Sequence, residues 1–210
     1  LDSSVQRYLP EFPQAETRVR HLLAHSAGLS DEAVSTIIGK TNADLLAEFR
    51  KPGVNPLFPP GTGFTYCNFC YSTLALLIER VAGEHYLSFV RRRVALPAGV
   101  TLRPLRLVEW KGRAIGYRRT SGKLERADSY EGEAFYGTAN FSISAADLAK
   151  WGSEWWGSRL TPIRSIATTT AMIAGKPSSL SWGNWYCAPS SIRCHYLGHH
   201  EGFHHMLYWD

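Results

Sequence analysis

Apolar residues recur at helical spacing through the first two-thirds of the chain and fall into short aromatic-rich runs after about residue 180, the pattern of helices followed by strands. Val19, Leu22 and Leu23 share one face of a short helix predicted over 17–25, with Thr17 able to cap it and Ala27-Gly28 ending it. Asn42 would cap a second helix carrying Leu45, Leu46 and Phe49, stopped by Pro52-Gly53. After the stiff Phe58-Pro-Pro-Gly-Thr-Gly63, apolar positions 70, 74, 77, 78 and 81 predict a helix from Phe69 to Val81, closed by Gly83. His85 to Val94 reads as another, ended by Leu96-Pro-Ala-Gly99, and 114–128 as a hairpin about Ser121-Gly122. Ser144 and Asp147 form a capping-box-like start to a helix bearing Leu148, Trp151 and Trp155. Thr161-Pro162 opens one more, through about Met172, and strands are predicted at 181–187, 192–197 and 203–209. Helices first and an antiparallel meander last define an α+β class. The expected organisation is one domain over 1–210, mostly helical over 17–172, with the sheet strands in 180–210.

A chain of 210 residues, 44% hydrophobic and 20% charged, can bury one core and reads as globular. It holds no run of eighteen or so apolar residues, so no membrane span is expected, and no secretory signal opens it. The net charge of +5 is spread thinly. Only Arg91-Arg92-Arg93 is tight, and its apolar flanks Leu87, Phe89, Val90 and Val94 mark a solvated helix face. A nucleic-acid partner, which would require a basic stripe with interleaved aromatics, is not expected.

The cysteines stand at 67, 70, 187 and 194. Cys67-x-x-Cys70 has the spacing of half a zinc site, and Cys194-His195 lies near His199, His200, His204 and His205. No second Cys-x-x-Cys completes such a site. A disulfide between Cys187 and Cys194 across a hairpin is the alternative use of that pair in an oxidising compartment.

Four stretches then resemble one family in order. Leu1-Asp-Ser-Ser-Val-Gln-Arg-Tyr-Leu-Pro10 looks like "LDDPVxRYLP". Val19-Arg-His-Leu-Leu-Ala-His-Ser-Ala-Gly-Leu29 is similar to "RHLLTHTSGL". Phe58-Pro-Pro-Gly-Thr-Gly-Phe-Thr-Tyr-Cys-Asn68, with the helix to Gly83, resembles "PPGTxFxYSNxxYxLLxxIIExxxG". Gly137-Thr-Ala-Asn-Phe-Ser-Ile-Ser-Ala-Ala-Asp-Leu148 is like "GGLxSTAxDL". They resemble segments of the β-lactamase and penicillin-binding-protein-like serine hydrolases, a family that includes D-Ala-D-Ala carboxypeptidases and esterases. The resemblance implies a β-lactamase/transpeptidase-like fold, an antiparallel sheet flanked by helices with a mostly helical subdomain, and acyl transfer without a cofactor.

In the approach to the helix, Tyr66 and Asn68 would project to one side and Cys67 to the other. The resemblance makes Tyr66 the proton shuttle, its phenolate favoured beside a lysine ammonium, and Asn68 the residue holding a substrate amide or ester. The alternative is a buried tyrosine beside an asparagine that only caps the helix. The family's Lys-Thr-Gly or His-x-Gly motif falls on Tyr196-Leu197-Gly198 in one register, with the His199 N–H as an oxyanion donor. In the other register it falls on His200-Glu201-Gly202. His204 and His205 are expected to have no catalytic duty, and His21 and His25 to pack or cap within their helix.

The family nucleophile is the serine of Ser-x-x-Lys. No serine here has lysine three residues on, and Thr120-Ser-Gly-Lys123 reads as a hairpin turn. A start at Leu1, where relatives have the motif just upstream, points to truncation at both ends, with the sheet completed by a missing segment or a swapped partner. The expected function is therefore a serine hydrolase acting on β-lactams, D-amino-acid peptides or small esters, with its nucleophile outside this chain. The rivals are an inactive family member serving as a binding module and a zinc protein. Family habit favours a periplasmic or secreted location, though trimming would explain the start equally well.

Overall fold

The structure, a computed structural model, describes residues 1–31, 41–51, 55–104, 112–128, 136–138, 141–156, 170–181, 186–187, 194–200 and 202–209. The chain opens with a 3-10 turn, Val5–Arg7, and buries Val5, Leu9 and Phe12. Val5 N–H donates to the Thr17 carbonyl at 2.8 Å, so this arm folds back along the entry to helix α1, Val19–Leu23. That return changes the role expected of Thr17. It is fully buried, and its hydroxyl donates to Gln14 Oε1 at 2.7 Å, while His21 Nδ1 caps α1 by accepting the Arg18 N–H at 3.2 Å.

Helix α2 spans Asn42–Phe49, and its cap is Thr41 instead of Asn42. Thr41 Oγ1 accepts the Asp44 N–H, and Asp44 Oδ2 accepts the Thr41 N–H at 2.7 Å, closing a capping box. Asn42 is thereby free to bridge elements. Its Nδ2 donates to the carbonyls of Ser72 at 2.9 Å and Tyr136 at 3.0 Å, and its Oδ1 accepts the Tyr136 N–H at 2.8 Å. One buried amide thus ties α2, the segment at 136–138 and helix α3, Asn68–Ala82. Helix α3 ends at Gly83, whose φ of 66° suits a residue without Cβ. Its Cys70 joins Val5, Leu9, Phe12, Leu22, Ala27, Leu29, Leu45 and Leu46 in the main core.

Helix α4, Tyr86–Val90, runs through a π-turn, Arg91–Ala95, into α5, Leu96–Ala98. The run ends where expected, at Gly99, whose φ of 62° suits a residue without Cβ. A second core joins Ala95, Ala98 and Val100 to Leu102 and to Trp151 of α6, Ala145–Trp156. Ser144 Oγ caps α6, accepting the Asp147 N–H at 3.0 Å.

Strands β1, Arg103–Pro104, and β4, Phe141–Ser142, pair with each other. The expected hairpin is β2, Tyr117–Thr120, and β3, Lys123–Arg126. Ser121 at φ 49° and Gly122 at φ 83° give it the two left-handed positions of a tight turn. Residues 170–172, expected to end a helix, are instead strand β5, Thr170–Ile173, paired with β6, Lys176–Ser181. Ala174 and Gly175, both at positive φ, turn the chain there, and a hairpin competes with any helix extended from upstream. Residues 157–169, where that helix would begin, lie outside the described residues, as does Pro52-Gly53. The last sheet is antiparallel, in the order β7, Tyr186–Cys187; β8, Cys194–His200; β9, Phe203–Trp209. The whole is the expected mixed α+β architecture. No described helix is long and apolar enough to cross a membrane.

Candidate active site

Residues 57–67 run beside 25–28, with Leu57 N–H donating to Gly28 O at 2.9 Å, Gly61 N–H to Ser26 O at 2.7 Å and Thr65 N–H to His25 O at 3.0 Å. Gly28 permits this approach, because a Cβ there would lie 2.2 Å from the Phe58 carbonyl oxygen. At the end of this pairing Cys67 is extended, with φ −141° and ψ 99°. Its side chain points into the core, fully buried, while Tyr66 is 50% exposed and Asn68 is exposed. The alternation read from sequence is thus present. Cys67 is the N-cap of α3, its Sγ accepting the Cys70 N–H at 2.9 Å, so Asn68 is not the cap. Both sulfurs are joined in a disulfide, which replaces the half-zinc-site reading. The described residues contain no group of three or more His, Cys, Asp or Glu able to hold a metal.

His25 supports the junction from beneath. Helix α1 ends at Leu23, so His25 lies beyond the helix in which it was expected to pack or cap. It is buried at a left-handed φ of 54°, a backbone state that costs a non-glycine residue free energy and clusters at functional sites. Its Nδ1 accepts the Cys67 N–H at 3.1 Å, which makes Nδ1 the unprotonated nitrogen. The ring stacks on Tyr66 at 4.4 Å and on Tyr71 at 5.1 Å and meets Phe64 edge-on at 6.0 Å.

Asp31 grips the same junction from outside. Its Oδ2 accepts the Asn68 N–H at 3.0 Å and Asn68 Nδ2–H at 2.7 Å, and its Oδ1 accepts the Phe69 N–H at 3.2 Å. Nothing in the sequence pattern singled out this residue. Its only signal was acidity, which suits the start of any helix that packs near it.

Strand β8 brings Tyr196 near Tyr71. The Tyr71 phenol, which donates to Leu23 O at 3.1 Å, has its pKa raised chiefly by burial and further by the neighbouring Tyr196 and Tyr66. Tyr66, Tyr71 and Tyr196 therefore share one neighbourhood. On β8, Tyr196 and Gly198 face one way and Leu197 and His199 the other. Gly198 is opposite His205, whose ring lies where a Cβ would stand, 1.9 Å from its Cε1. The His205 ring also stacks with Tyr196 at 6.5 Å, and partial burial lowers its pKa.

The His199 side chain is exposed on the opposite face, stacked on His204 at 4.3 Å. His200 closes β8 opposite Phe203, Glu201 lies outside the described residues and Gly202 is in the turn. Tyr196-Leu197-Gly198 thus occupies mid-strand, whereas His200-Glu201-Gly202 spans the hairpin end. Strand β7 pairs with residues 194 and 195 of β8. Cys194 is disulfide-bonded, and its register partner on β7 is Cys187.

Tyr66 and Asn68 thus flank the start of α3 in a mixed α+β fold. The chain belongs to the Beta-lactamase family, whose model matches residues 1–184. Putative penicillin-binding protein PbpX of Bacillus subtilis is 28% identical over 196 residues, covering 91% of this chain and 48% of that protein. Penicillin-binding protein 4* of the same organism is 32% identical over 105 residues, covering 47% and 23%. A D-aminopeptidase of Cereibacter sphaeroides is 25% identical over 195 residues, covering 87% and 37%. The chain thus spans less than half the length of these relatives. Among solved structures, FmtA from Staphylococcus aureus superposes over the whole chain and 58% of its own, with a TM-score of 0.79 at 19% identity. The octameric penicillin-binding protein homologue from Pyrococcus abyssi covers 95% and 51%, with a TM-score of 0.76 at 20% identity. Both likenesses concern the fold.

Proposed function

We propose that this chain forms two walls of a serine acyl-transfer site. Tyr66 relays protons, Asn68 holds the substrate's amide or ester group, and the edge strand at Tyr196, Gly198 and His200 lines the opposite side, with the His199 N–H as an oxyanion donor. The observation that carries this reading is the half-exposed Tyr66 ring, held on a buried histidine, next to Asn68 and in the neighbourhood of Tyr196. No Ser-x-x-Lys occurs in these 210 residues, so the proposal places nucleophile and lysine in chain outside them or in a partner. The exposed Leu197, Met206 and Tyr208 on one face of β8 and β9 support further chain or a second copy covering that face. A stable monomer of 23.5 kDa with this face bare would count against that part.

Candidate substrates are β-lactams, D-amino-acid peptides, and small esters or amides, in line with the penicillin-binding and D-aminopeptidase relatives. The test is covalent labelling of the full-length protein by a fluorophosphonate or a fluorescent penicillin. Labelling is expected, with Tyr66→Phe lowering its rate by about 10²–10⁴-fold, the usual range for a proton-transfer residue. The lack of Ser-x-x-Lys in this stretch favours one second reading, a binding module without catalysis. Saturable but non-covalent penicillin binding would select it.

A further inference from the structure

The Cys67–Cys70 disulfide lies across the joint that carries the site. Cys67 is still extended, at φ −141° and ψ 99°, whereas Cys70 belongs to the first turn of α3. The bond therefore fixes the angle at which the segment bearing Tyr66 enters the helix bearing Asn68. The other restraints described at this joint are hydrogen bonds, which backbone motion can break and remake. They run from the Cys67 N–H to His25 Nδ1 at 3.1 Å and from the Asn68 and Phe69 N–H groups to Asp31 at 3.0 and 3.2 Å.

Both cysteines are fully buried, in the core cluster with Val5, Leu22 and Leu29. Two thiols cannot sit at bonding distance, so reduction drives the sulfurs apart inside a packed interior, and such overpacking is relieved by shifting backbone. The backbone at hand is that of Tyr66 to Asn68 on one side and the first turn of α3 on the other. Burial has a second consequence. A reductant reaches either sulfur only when the joint opens, so by reciprocity the intact bond holds the joint closed.

We propose that Cys67–Cys70 is a redox-sensitive lock on the site: the oxidised chain holds Tyr66 and Asn68 in alignment, the reduced chain loses it, and acyl transfer is switched on by oxidation. Closing the lock removes two electrons and two protons from the two thiols. A disulfide such as glutathione disulfide accepts them and leaves as two thiols, and a dithiol reverses the step. Cys194 is disulfide-bonded as well, and no cysteine is free among the described residues, which suits an oxidising compartment. The proposal rests on the hydrolase reading, with Tyr66 and Asn68 at the substrate.

The test labels the full-length protein with a fluorophosphonate in glutathione buffers of rising reducing power and in dithiothreitol, with each cysteine's state read by alkylation and mass spectrometry. Labelling should slow by about ten- to a hundredfold as Cys67–Cys70 is reduced, since a misplacement of about 1 Å can cost about 10²-fold. Cys67→Ser with Cys70→Ala keeps a capping oxygen without the bond, and should label at the reduced protein's rate in every buffer. Cys187→Ser with Cys194→Ser removes the remaining two cysteines and should keep the full response. A second readout needs no turnover: amide hydrogen exchange at Cys67, Asn68, Phe69 and Cys70 should quicken by at least about tenfold on reduction while α6 stays protected. Equal labelling rates in the oxidised and reduced protein, a response that disappears with Cys187 and Cys194, or protection lost equally in α6 overturns the inference with the hydrolase reading intact. Absence of labelling in every redox state overturns the hydrolase reading and the inference with it.

Discussion

His25 does two jobs with one ring: its Nδ1 satisfies the buried Cys67 N–H, and its face supports Tyr66. His25→Phe retains the stack but leaves that N–H unpaired, so a loss of about 1–3 kcal/mol is expected in urea titrations. A stability equal to wild type would show that the hydrogen bond contributes nothing. Gly198 is a similar case on the strand. Gly198→Ala places a methyl 1.9 Å from His205 Cε1, and the imidazole must swing off Tyr196. Substrate KM should rise in the single variant and recover in Gly198→Ala with His205→Ala, because the obstacle is a side chain. A deficit persisting in the double variant would locate the problem in the backbone.

At the level of elements, α3 is the scaffold on which the site is mounted. Its start is held by the Cys67 cap, the Asp31 carboxylate and the Cys67–Cys70 disulfide. The disulfide closes a very short loop, so chain entropy assigns it only about 2 kcal/mol. The paired Cys67→Ala, Cys70→Ala variant should lose about that much in thermal or urea unfolding and also the cap contributed by Sγ. On the other side of α3, Gly137 sits at φ 99°, where a Cβ would be 2.3 Å from the Tyr71 carbonyl oxygen. Backbone cannot step aside as an imidazole can. Gly137→Ala should therefore destabilise by about 1–3 kcal/mol or more, reported by the same titrations.

For the molecule as a whole, acid sensitivity follows from two imidazoles held in the neutral form. Burial lowers the pKa of His21, helped by Arg20 and Arg18 against an opposing Asp2, and burial lowers that of His205. The unfolded chain takes up these protons from about the ordinary histidine value of 6.5, whereas the folded protein takes them up only at lower pH. Stability should thus be level above pH 7.5 and fall as pH drops through 6.5 toward the folded values. Asp128 adds to the fall at still lower pH, because its hydrogen bond from Arg126 holds the carboxyl below the ordinary value of 3.8. Urea midpoints measured across pH 4.5–8 check the sign, and midpoints that rise on acidification would contradict it.

The sequence by itself determined the class of fold, most of the helices, the Ser121-Gly122 turn and the outward alternation of Tyr66 and Asn68, because periodicity, turn residues and pleat are local properties of the chain. Local pattern failed where a residue had several suitors. Thr17 and Asn42 look like caps in isolation, and only the return of the N-terminal arm and the approach of the segment at Tyr136 show that they bond elsewhere. The strand at Thr170–Ile173 depended likewise on a hairpin partner downstream. The grip of Asp31 on Asn68, the buried His25 under Tyr66 and the His205 ring over Gly198 span separations of 7 to 41 residues and were decided by tertiary structure alone. A hydrogen bond or ring stack depends on distance in space, and spacing along the chain carries no record of it.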